Sequence, residues 1–467
     1  MGMIPWILVL GLTLRLAPTQ KIHLEAEDAM RVETTVSTHR RGYSGSGYVV
    51  GFDHEGARIE FPVQAKAGLY EVRIRYSSPF GEKGYILAVN KERFSGMFAR
   101  TGDVFSTCNA GKVELTEGPN TVAIERGWGY YDIDYIDLIP TSVDSPLRKP
   151  PKTLVDHRAS PGAQVLMDYL VSLYGFKTLS GQYEPSDSAY VRAQTGKSPA
   201  ILGGDFMDYS PSRLPFGSMP NDLTEQMIKS AQEGSVITMV WHWNAPDGLL
   251  NKTYVDERGN TIDAMWYKGF YTNATTFDVE RALDSPDSEA YRLLLRDIDA
   301  IAVQLKKFAD AGIPVLWRPL HEAEGKWFWW GAKGPEPFIR LWRLMFDRLT
   351  QTHGLHNLIW VYTGTDPAWY PGNAYVDVVG IDAYPSDPGD PLSSEWEALK
   401  RRFDGKKLLA LTEFGGVPDV PKMRRFGVRW AYFVSWSGTP QNAPSGALTR
   451  GYHSDAVVNR DALETHR

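Results

Sequence analysis

Residues 313–322 read IPVLWRPLHE, an apolar run of strand length that ends in polar side chains. Seven further segments have the same form, and apolar residues at helical spacing separate several of them. The eight candidate strands are 178–185, 199–209, 236–244, 313–322, 357–364, 376–385, 407–416 and 430–438. Strands of this kind that alternate with helices indicate a parallel sheet. Eight of them in about 300 residues predict a (β/α)8, or TIM, barrel.

The helix before the fourth strand is the clearest helix in the sequence. Apolar residues between Tyr291 and Phe308 recur three and four positions apart, and Gly312 followed by Pro314 predicts the end of the helix. The segment 245–287, between the third strand and this helix, is long for such a connection, which is typical of a functional loop.

Residues 21–140 lack helical periodicity and predict an all-β, jelly-roll-like sandwich. Apolar residues at alternate positions from Tyr70 to Tyr76 indicate a strand with one buried face. Glycine-rich turns at 42–47 and 80–84 separate such strands. The proline-rich segment 141–161 predicts a semi-rigid linker. The predicted fold is therefore multidomain, a β-sandwich followed by a barrel domain over 162–467.

The composition excludes several classes of protein. The chain has 467 residues, 43% apolar and 23% charged, as an ordinary globular protein does. Its 50 Lys and Arg residues against 56 Asp and Glu give a net charge of -6, with no basic surplus for nucleic acid. Cys108 is the single cysteine, so no intrachain disulfide is possible. Fifteen Trp and 23 Tyr residues form a surplus of the flat faces that stack on sugar rings.

The N-terminus predicts export. Residues 3–17 form an apolar run that is too short to span a membrane, which indicates a signal peptide over residues 1–20 and a secreted, extracellular protein. One departure from the usual pattern is that Arg15 lies inside the run and no basic residue precedes it. Sequons at Asn251 and Asn273 are consistent with a secreted glycoprotein. We expect no membrane or nucleic-acid partner.

Two carboxylates, Glu322 and Glu413, directly follow the fourth and seventh apolar strands. Chemistry in a barrel is found at the C-terminal ends of strands, so both side chains can face one cleft. Such a pair suits glycosidic bond hydrolysis, in which one carboxyl protonates the leaving oxygen and the other attacks carbon or activates water. Either glutamate could instead be a solvated loop residue. The candidate aromatic walls, which could also be rim packing, are Trp243, Trp327, Trp329, Trp330 and Trp436.

Zinc bound by His242, His321 and Glu322 is the competing interpretation. The sequence has no HExxH or comparable local spacing, which argues against it.

Five motifs together resemble glycoside hydrolase family 26, the endo-β-mannanases, over about residues 157–467. They are LWRPLHEAEGKWFWWG (316–331), LTEFGG (411–416), GIDAYP (380–385), VWHWN (240–244) and VSWSG (434–438). The resemblance implies an endo-β-1,4-mannanase that hydrolyses mannan, galactomannan or glucomannan by a retaining double displacement. Glu322 would be the acid/base and Glu413 the nucleophile, with carboxyl groups roughly 5 to 5.5 Å apart. No cofactor is needed for this chemistry.

The same resemblance implies which residues bind substrate. The matching positions are His242, Trp243, His321, Trp327, Tyr384 and Trp436. Trp327 would flank the cleaved bond, Tyr384 would hydrogen-bond the nucleophile, and Trp436 would stack beneath the sugar at the -1 subsite. His321 precedes the acid/base, where most relatives in the wider clan have Asn. Independently of the resemblance, the length and aromatic content of the segment 245–287 predict that it walls the glycone side of the cleft and that Trp266 adds a distal subsite, although the segment could equally be a glycosylated surface excursion.

Residues 21–140 separately resemble carbohydrate-binding module family 35. The motifs are HLEAEDA (23–29), GYSGSGYV (42–49) and GWGYYDIDYIDLIP (127–140). The resemblance implies a structural calcium, which carboxylate oxygens suit. Its predicted ligands are Glu25, Glu27 and Asp137, although the two glutamates could simply be the solvent face of an edge strand. Candidate sugar contacts are Tyr48, Trp128 and Asp132.

Two other functions remain open. A β-glycanase that acts on mixed-linkage β-glucan or xylan would use the same pair of glutamates. A catalytically silent carbohydrate-binding protein would use the barrel only to grip sugar, but the presence of both glutamates and their motifs argues against it. By resemblance we expect a monomer whose partners are β-mannan polysaccharides.

Overall fold

A computed structural model describes residues 20–143, 147–257 and 259–463. The chain divides into two compact units, Met1–Asp144 and Ser145–Arg467. The predicted signal peptide lies outside the described residues, except for residue 20. Within the described ranges, none of the helices has the length and apolar character needed to cross a membrane.

The first unit is a sandwich of two antiparallel sheets, as predicted. Its strands are β1 (Ile22–Glu25), β2 (Met30–Val32), β3 (Thr35–Ser37), β4 (Tyr48–Val50), β5 (Arg58–Ala65), β6 (Gly68–Ser77), β7 (Lys83–Val89), β8 (Glu92–Phe98), β9 (Ser106–Leu115), β10 (Gly118–Arg126) and β11 (Asp132–Thr141). One sheet has the order β3-β4-β11-β6-β9, with β1 also paired to β11, and the other has the order β2-β5-β10-β7-β8.

Side-chain alternation decides which face of each sheet is buried. Tyr70 and Tyr76 of β6 are almost inaccessible to solvent, as are the apolar residues at alternate positions between them. Tyr76 stacks on Phe98 of the opposite sheet with ring centroids 4.2 Å apart, which joins the two layers. Burial raises the pKa of the Cys108 thiol on β9 to about 12, so the single cysteine carries no thiolate at neutral pH.

The second unit is a closed parallel barrel, which confirms the predicted fold class. The barrel strands, in the order in which they pair, are β13 (Gly181–Tyr183), β14 (Ile201–Asp205), β15 (Val236–Val240), β18 (Val315–Arg318), β19 (Leu358–Thr363), β20 (Val378–Ala383), β21 (Leu408–Phe414) and β22 (Phe433–Ser435). Each lies within one of the eight predicted segments. The remaining strands are β12 (Thr178–Leu179), which pairs with β23 (Val457–Val458), and the hairpin of β16 (Lys252–Val255) and β17 (Thr261–Ala264).

The second unit also contains α-helices, most of which follow a barrel strand. They are α1 (Pro161–Leu173), α2 (Pro185–Thr195), α3 (Leu223–Gln232), α4 (Val279–Asp284), α5 (Glu289–Asp310), α6 (Pro335–Asp347), α7 (Ser393–Phe403), α8 (Val420–Arg425), α9 (Ala447–Tyr452) and α10 (Arg460–Leu463). The predicted helix before the fourth strand is α5, and Gly312 follows it with φ +71°. One connection departs from the regular pattern, because β19 and β20 are joined by a 3₁₀ turn, Pro367–Trp369, in place of an α-helix.

Most of the segment predicted as a linker, 141–161, packs on the barrel instead. Arg148 forms an ion pair with Asp404 at 2.8 Å, and Leu154 is only 4% exposed. The Val155 N–H donates to the buried Asp377 carboxylate at 2.8 Å. These contacts attach residues 147–160 to the second unit.

Candidate active site

The mouth of the barrel, at the C-terminal ends of its strands, contains a cleft of about 530 Å³. Both glutamates predicted from the sequence line this cleft. The lining residues are Asp205, Met207, His242, Phe270, Tyr271, Glu322, Trp327, Phe328, Tyr384, Glu413 and Trp436. Charged groups and exposed aromatic rings therefore share one concave surface, as a sugar-processing site requires.

Glu413, near the end of β21, is 4% exposed and is held from two sides. Arg318 Nη2 donates to its Oε2 at 2.5 Å, and the Tyr384 hydroxyl donates to its Oε1. Burial, together with the nearby Glu413 carboxylate, raises the pKa of Tyr384 far above its ordinary value. The phenol therefore keeps its proton and remains a donor. The two donors fix the orientation of the Glu413 carboxylate within the cleft.

Arg318 ends β18 and is the residue that connects the buried polar groups beneath the cleft. It is 1% exposed, and besides Glu413 it donates to Asp382 Oδ2 at 2.6 Å and to the Tyr183 hydroxyl at 3.1 Å. Arg318 lies within the motif 316–331, but the motif alone does not indicate its role. The available signal was a charged residue inside an apolar strand, since a buried guanidinium requires partners.

Glu322 reaches the cleft from the turn after β18. Its backbone is left-handed, with φ +53°, and its N–H donates to Thr363 Oγ1 at 3.2 Å. Trp327 Nε1 donates to Glu322 Oε2 at 2.9 Å. Burial and the nearby Glu413 carboxylate raise the pKa of Glu322, while Arg318 opposes this shift. A carboxyl group of raised pKa next to a second carboxylate is the pattern that acid and nucleophile roles require.

Two histidines form a hydrogen-bonded chain with an aspartate at one side of the cleft. Asp205 Oδ2 lies 2.6 Å from His242 Nδ1, and His242 Nε2 lies 3.2 Å from His321 Nε2. Burial alone would lower the pKa of His242, but the Asp205 carboxylate reverses this and raises it. Burial, Arg318 and His242 lower the pKa of His321 well below its ordinary value. His321 is therefore neutral, and His242 is the ring that can carry charge.

The segment 245–287 contributes Phe270 and Tyr271 to the lining of the cleft. Tyr271 forms an antiparallel bridge with Phe328, and the Thr272 N–H donates to the Trp327 carbonyl at 2.7 Å. These bonds attach the segment to the loop that follows Glu322. The signal in the sequence was the unusual length of the segment and its aromatic content, since such loops carry function.

Three of the predicted aromatic walls belong to the core. Trp243, Trp329 and Trp330 are at most 1% exposed, so their rings cannot contact substrate. After β15 ends at Val240, His242 faces the cleft, whereas Trp243 packs outward and its Nε1 donates to the buried Asp297. This corrects the prediction that Trp243 binds substrate. Trp330 has a supporting role, because its Nε1 donates to the His321 carbonyl at 2.9 Å.

Trp327, Trp436 and Tyr384 line the cleft, and their roles in binding substrate stay predictions. Trp327 is 48% exposed, and Trp436 packs against Tyr183 with ring centroids 4.7 Å apart. Trp266 does not line the cleft. Its ring is nearly parallel to that of Phe216, which lies outside the segment 245–287, and the two ring centroids are 5.3 Å apart.

The predicted sugar contacts of the first unit divide in the same way. Trp128 is 61% exposed, and one face of its indole rests on Gly84, where an added Cβ would lie 3.3 Å from three ring atoms. Tyr48 is 3% exposed and packs against the half-buried rings of Tyr43 and Phe105, so its prediction as a sugar contact is corrected. Asp132 is engaged by Arg40 at 3.0 Å and is not a free contact either.

The predicted calcium ligands are not brought together as a set of three. The register of β1 on β11 places Asp137 opposite His23, whose Nδ1 lies 2.6 Å from Asp137 Oδ1, and Lys21 also pairs with Asp137. Glu25 and Glu27 reach the 44–47 turn instead, where Ser44 and Ser46 donate to them. The Asp137 carboxylate is thus engaged by Lys21 and His23. The set Glu25, Glu27 and Asp137 therefore does not fit a calcium ion.

Across the described parts of the chain, no group of three or more His, Cys, Asp or Glu side chains is arranged to hold a metal ion. The zinc interpretation of His242, His321 and Glu322 consequently has no support from the geometry. In the cleft, Glu322 is bonded to Trp327 and the histidines to each other.

A closed parallel barrel whose mouth holds two glutamates among exposed aromatic rings has the architecture of a glycoside hydrolase. The family model "Glycosyl hydrolase family 26" matches residues 155–462. The chain belongs to this family. A second family model, "Carbohydrate binding module (family 35)", matches residues 22–141, which correspond to the β-sandwich.

Similar proteins share both units. A mannan endo-1,4-beta-mannosidase of Thermothelomyces thermophilus is 43% identical over 94% of this chain and 90% of its own length. Mannan endo-1,4-beta-mannosidase A of Piromyces sp. is 32% identical over 94% of this chain and 70% of its own length. The crystal structure of the Podospora anserina GH26-CBM35 beta-(1,4)-mannanase is 41% identical and covers 95% of this chain and 98% of its own, with a TM-score of 0.67.

Proposed function

We propose that the protein is a secreted endo-β-1,4-mannanase that cleaves internal bonds of mannan, galactomannan or glucomannan with retention of configuration. The observation that carries the proposal is that Glu413, oriented by Arg318 and Tyr384, shares one cleft with Glu322, whose pKa is raised. The names of the similar proteins support the choice of substrate.

The first chemical step forms a covalent intermediate. A Glu413 carboxylate oxygen attacks the anomeric carbon, and the glycosidic bond breaks. The proton of Glu322 moves to the departing oxygen, which leaves as a neutral hydroxyl group. Arg318 and Tyr384 hold the Glu413 carboxylate in place, so the nucleophile is already oriented in the folded protein before substrate binds.

The second step reverses the roles. Glu322, now ionised, removes a proton from a water molecule as its oxygen attacks the anomeric carbon, and the bond to Glu413 breaks. Both groups return to their starting protonation states. This mechanism requires carboxyl groups roughly 5 to 5.5 Å apart, which stays a prediction.

The remaining cleft residues would bind the sugar. Trp436 and Trp327 offer flat faces on either side of the reacting bond. His242 lines the cleft and is held there by Asp205 at Nδ1 and by His321 at Nε2. His321 is itself only 1% exposed and supports His242, which corrects the prediction that His321 contacts substrate. Tyr384 has a double role, because its hydroxyl serves Glu413 while 54% of the residue stays exposed.

The substrate class is tested by reducing-end release from linear mannan, galactomannan, xylan and barley β-glucan in parallel. We expect hydrolysis of the mannans alone, and a fall of at least about a thousandfold in Glu413→Ala because the covalent step is lost. Activity on glucan or xylan would replace the substrate but keep the mechanism. Binding to a glycan without hydrolysis of any would replace the enzyme with a binding protein.

The raised pKa of Glu322 predicts the alkaline limb of the pH profile. The acid must be protonated, so kcat/KM for mannohexaose should fall about tenfold per pH unit above that pKa. A 2,4-dinitrophenyl β-mannobioside needs little help from an acid in the first step, so its profile should lack this limb. Identical alkaline limbs for both substrates would contradict the assignment of Glu322.

We also propose that Trp266 forms a distal subsite. Its segment contributes Phe270 and Tyr271 to the cleft, and Trp266 itself remains partly exposed beside Phe216. Trp266→Ala should therefore change the products released from mannohexaose but leave the rate on mannotriose unchanged within about twofold. An unchanged product pattern would favour a purely structural stack with Phe216.

For the first unit, we propose that Trp128 is the sugar platform. Since one face rests on Gly84 while 61% of the residue is exposed, a sugar ring can stack on the open side. Trp128→Ala should weaken binding of the intact protein to insoluble mannan by about tenfold and leave mannohexaose hydrolysis unchanged. Tyr254→Ala, on an exposed hairpin of the barrel unit, is the control for loss of an aromatic ring.

Export and glycosylation complete the proposal. Cleavage between Ala17 and Lys21 would be checked by N-terminal sequencing of the secreted protein, which would refute it by finding Met1. Asn251 and Asn273 are both exposed, as glycan acceptors must be. Glycosidase treatment should lower the mass if either carries a glycan, and light scattering should give the mass of a monomer.

A further inference from the structure

The turn that carries Glu322 has an unusual backbone. Three of its residues have positive φ values, +51° at Leu320, +53° at Glu322 and +60° at Lys326. This left-handed conformation is unfavourable for residues other than glycine. Residues in this conformation are strained and persist only where the surroundings enforce them. The position of the proposed acid/base therefore depends on contacts that hold this turn.

Glu324, two residues after Glu322, makes the most extensive of these contacts. Its Oε1 accepts hydrogen bonds from the Thr365 N–H at 2.8 Å and the Thr365 hydroxyl at 3.1 Å. Its Oε2 accepts from the Asp366 N–H at 2.8 Å. All three donors belong to the loop after β19, so one side chain ties the turn after β18 to the neighbouring strand's loop.

The loop that receives Glu324 is itself fixed. Asp366 Oδ1 accepts from the Ala368 N–H at 2.9 Å and so caps the turn Pro367–Trp369, whose Trp369 is 4% exposed. Arg402 Nη1 donates to the Thr365 carbonyl at 2.7 Å. Glu324 is thus bonded to a well-supported structure and can transmit its rigidity to Glu322.

A fourth hydrogen bond reaches the end of the strand before this loop, β19. The Glu322 N–H donates to Thr363 Oγ1, at the last residue of β19. Glu324 does not line the cleft, whereas Glu322 does. The three bonds to Glu324 and the bond from the Glu322 N–H therefore hold the backbone on both sides of the Glu322 side chain, from outside the space where substrate binds.

We propose that Glu324 is a positioning residue that fixes the left-handed turn and so aims Glu322 at the glycosidic oxygen. This inference rests on the proposed function of Glu322 as acid/base. Glu324 acts through Glu322 and touches neither sugar nor nucleophile. Its loss should impair proton donation more than attack by Glu413, because Glu413 is held independently by Arg318 and Tyr384.

The test compares two substrates that differ in their need for an acid. In Glu324→Ala, kcat/KM for mannohexaose should fall about tenfold or more, because small displacements of a catalytic group are costly. With the 2,4-dinitrophenyl β-mannobioside, kcat/KM reports only the first step, which needs little acid, and should fall no more than about threefold. Equal falls for both substrates, or no fall for either, would overturn the inference.

Further variants keep the test decisive. Glu324→Gln retains an oxygen for Thr365 but turns an amide NH2 towards one backbone N–H, so a smaller but equally selective loss is expected, and this variant carries the test if Glu324→Ala does not fold. Thr363→Val removes the other bond and should show the same selectivity. Glu336→Ala removes an exposed carboxylate from α6, in the same part of the barrel, and should change neither substrate's kcat/KM.

Glu322→Ala, measured in parallel, separates the two hypotheses. If Glu322→Ala impairs both substrates equally, the acid/base assignment fails whatever Glu324 does. If Glu322→Ala is selective for mannohexaose and Glu324→Ala is not, the acid/base assignment stands and the positioning role of Glu324 is wrong.

Discussion

The buried guanidinium of Arg318 is the constraint on which the rest of the site depends. It is 1% exposed and donates to Glu413, Asp382 and Tyr183, which come from three other barrel strands or their ends. Removing one partner from such a buried network commonly costs about 3 to 5 kcal/mol, because a charge is left without compensation. The network therefore specifies one arrangement of strand ends, and the cleft is built on that arrangement.

Closure of the barrel makes this network possible. The strands that carry Arg318, Asp382 and Glu413 run parallel, so their C-terminal ends reach the same rim. The pairing of Asp382 with Glu413 in the β20–β21 register brings two carboxylates beside one another. A shared cation is the physical solution to that proximity, and Arg318 supplies it from across the barrel mouth.

The sequence predicted the parts of this site that depend on strand order and missed those that depend on where each strand ends. Eight apolar segments are enough to predict the barrel. The polar residues that follow these segments are enough to predict that Glu322 and Glu413 lie in one cleft. The prediction for Trp243 is wrong because this residue lies beyond the end of β15. The direction of its side chain depends on the local backbone, which the alternation of apolar residues does not predict. Asp137 was grouped with the wrong residues for a similar reason, since the register of β1 on β11 places it opposite His23.

The two glutamates are held by different interactions, and the difference matches their proposed roles as nucleophile and acid/base. Glu413 is oriented by side-chain donors, one of them a cation, near the end of a barrel strand. Glu322 receives its closest side-chain hydrogen bond from the neutral Trp327 indole and is held through its backbone, in a turn that neighbouring loops enforce. A cation beside Glu322 would stabilise its ionised form and oppose proton donation. Holding an acid by its backbone leaves its carboxyl group in surroundings that raise its pKa, so rigidity and acidity can be set independently.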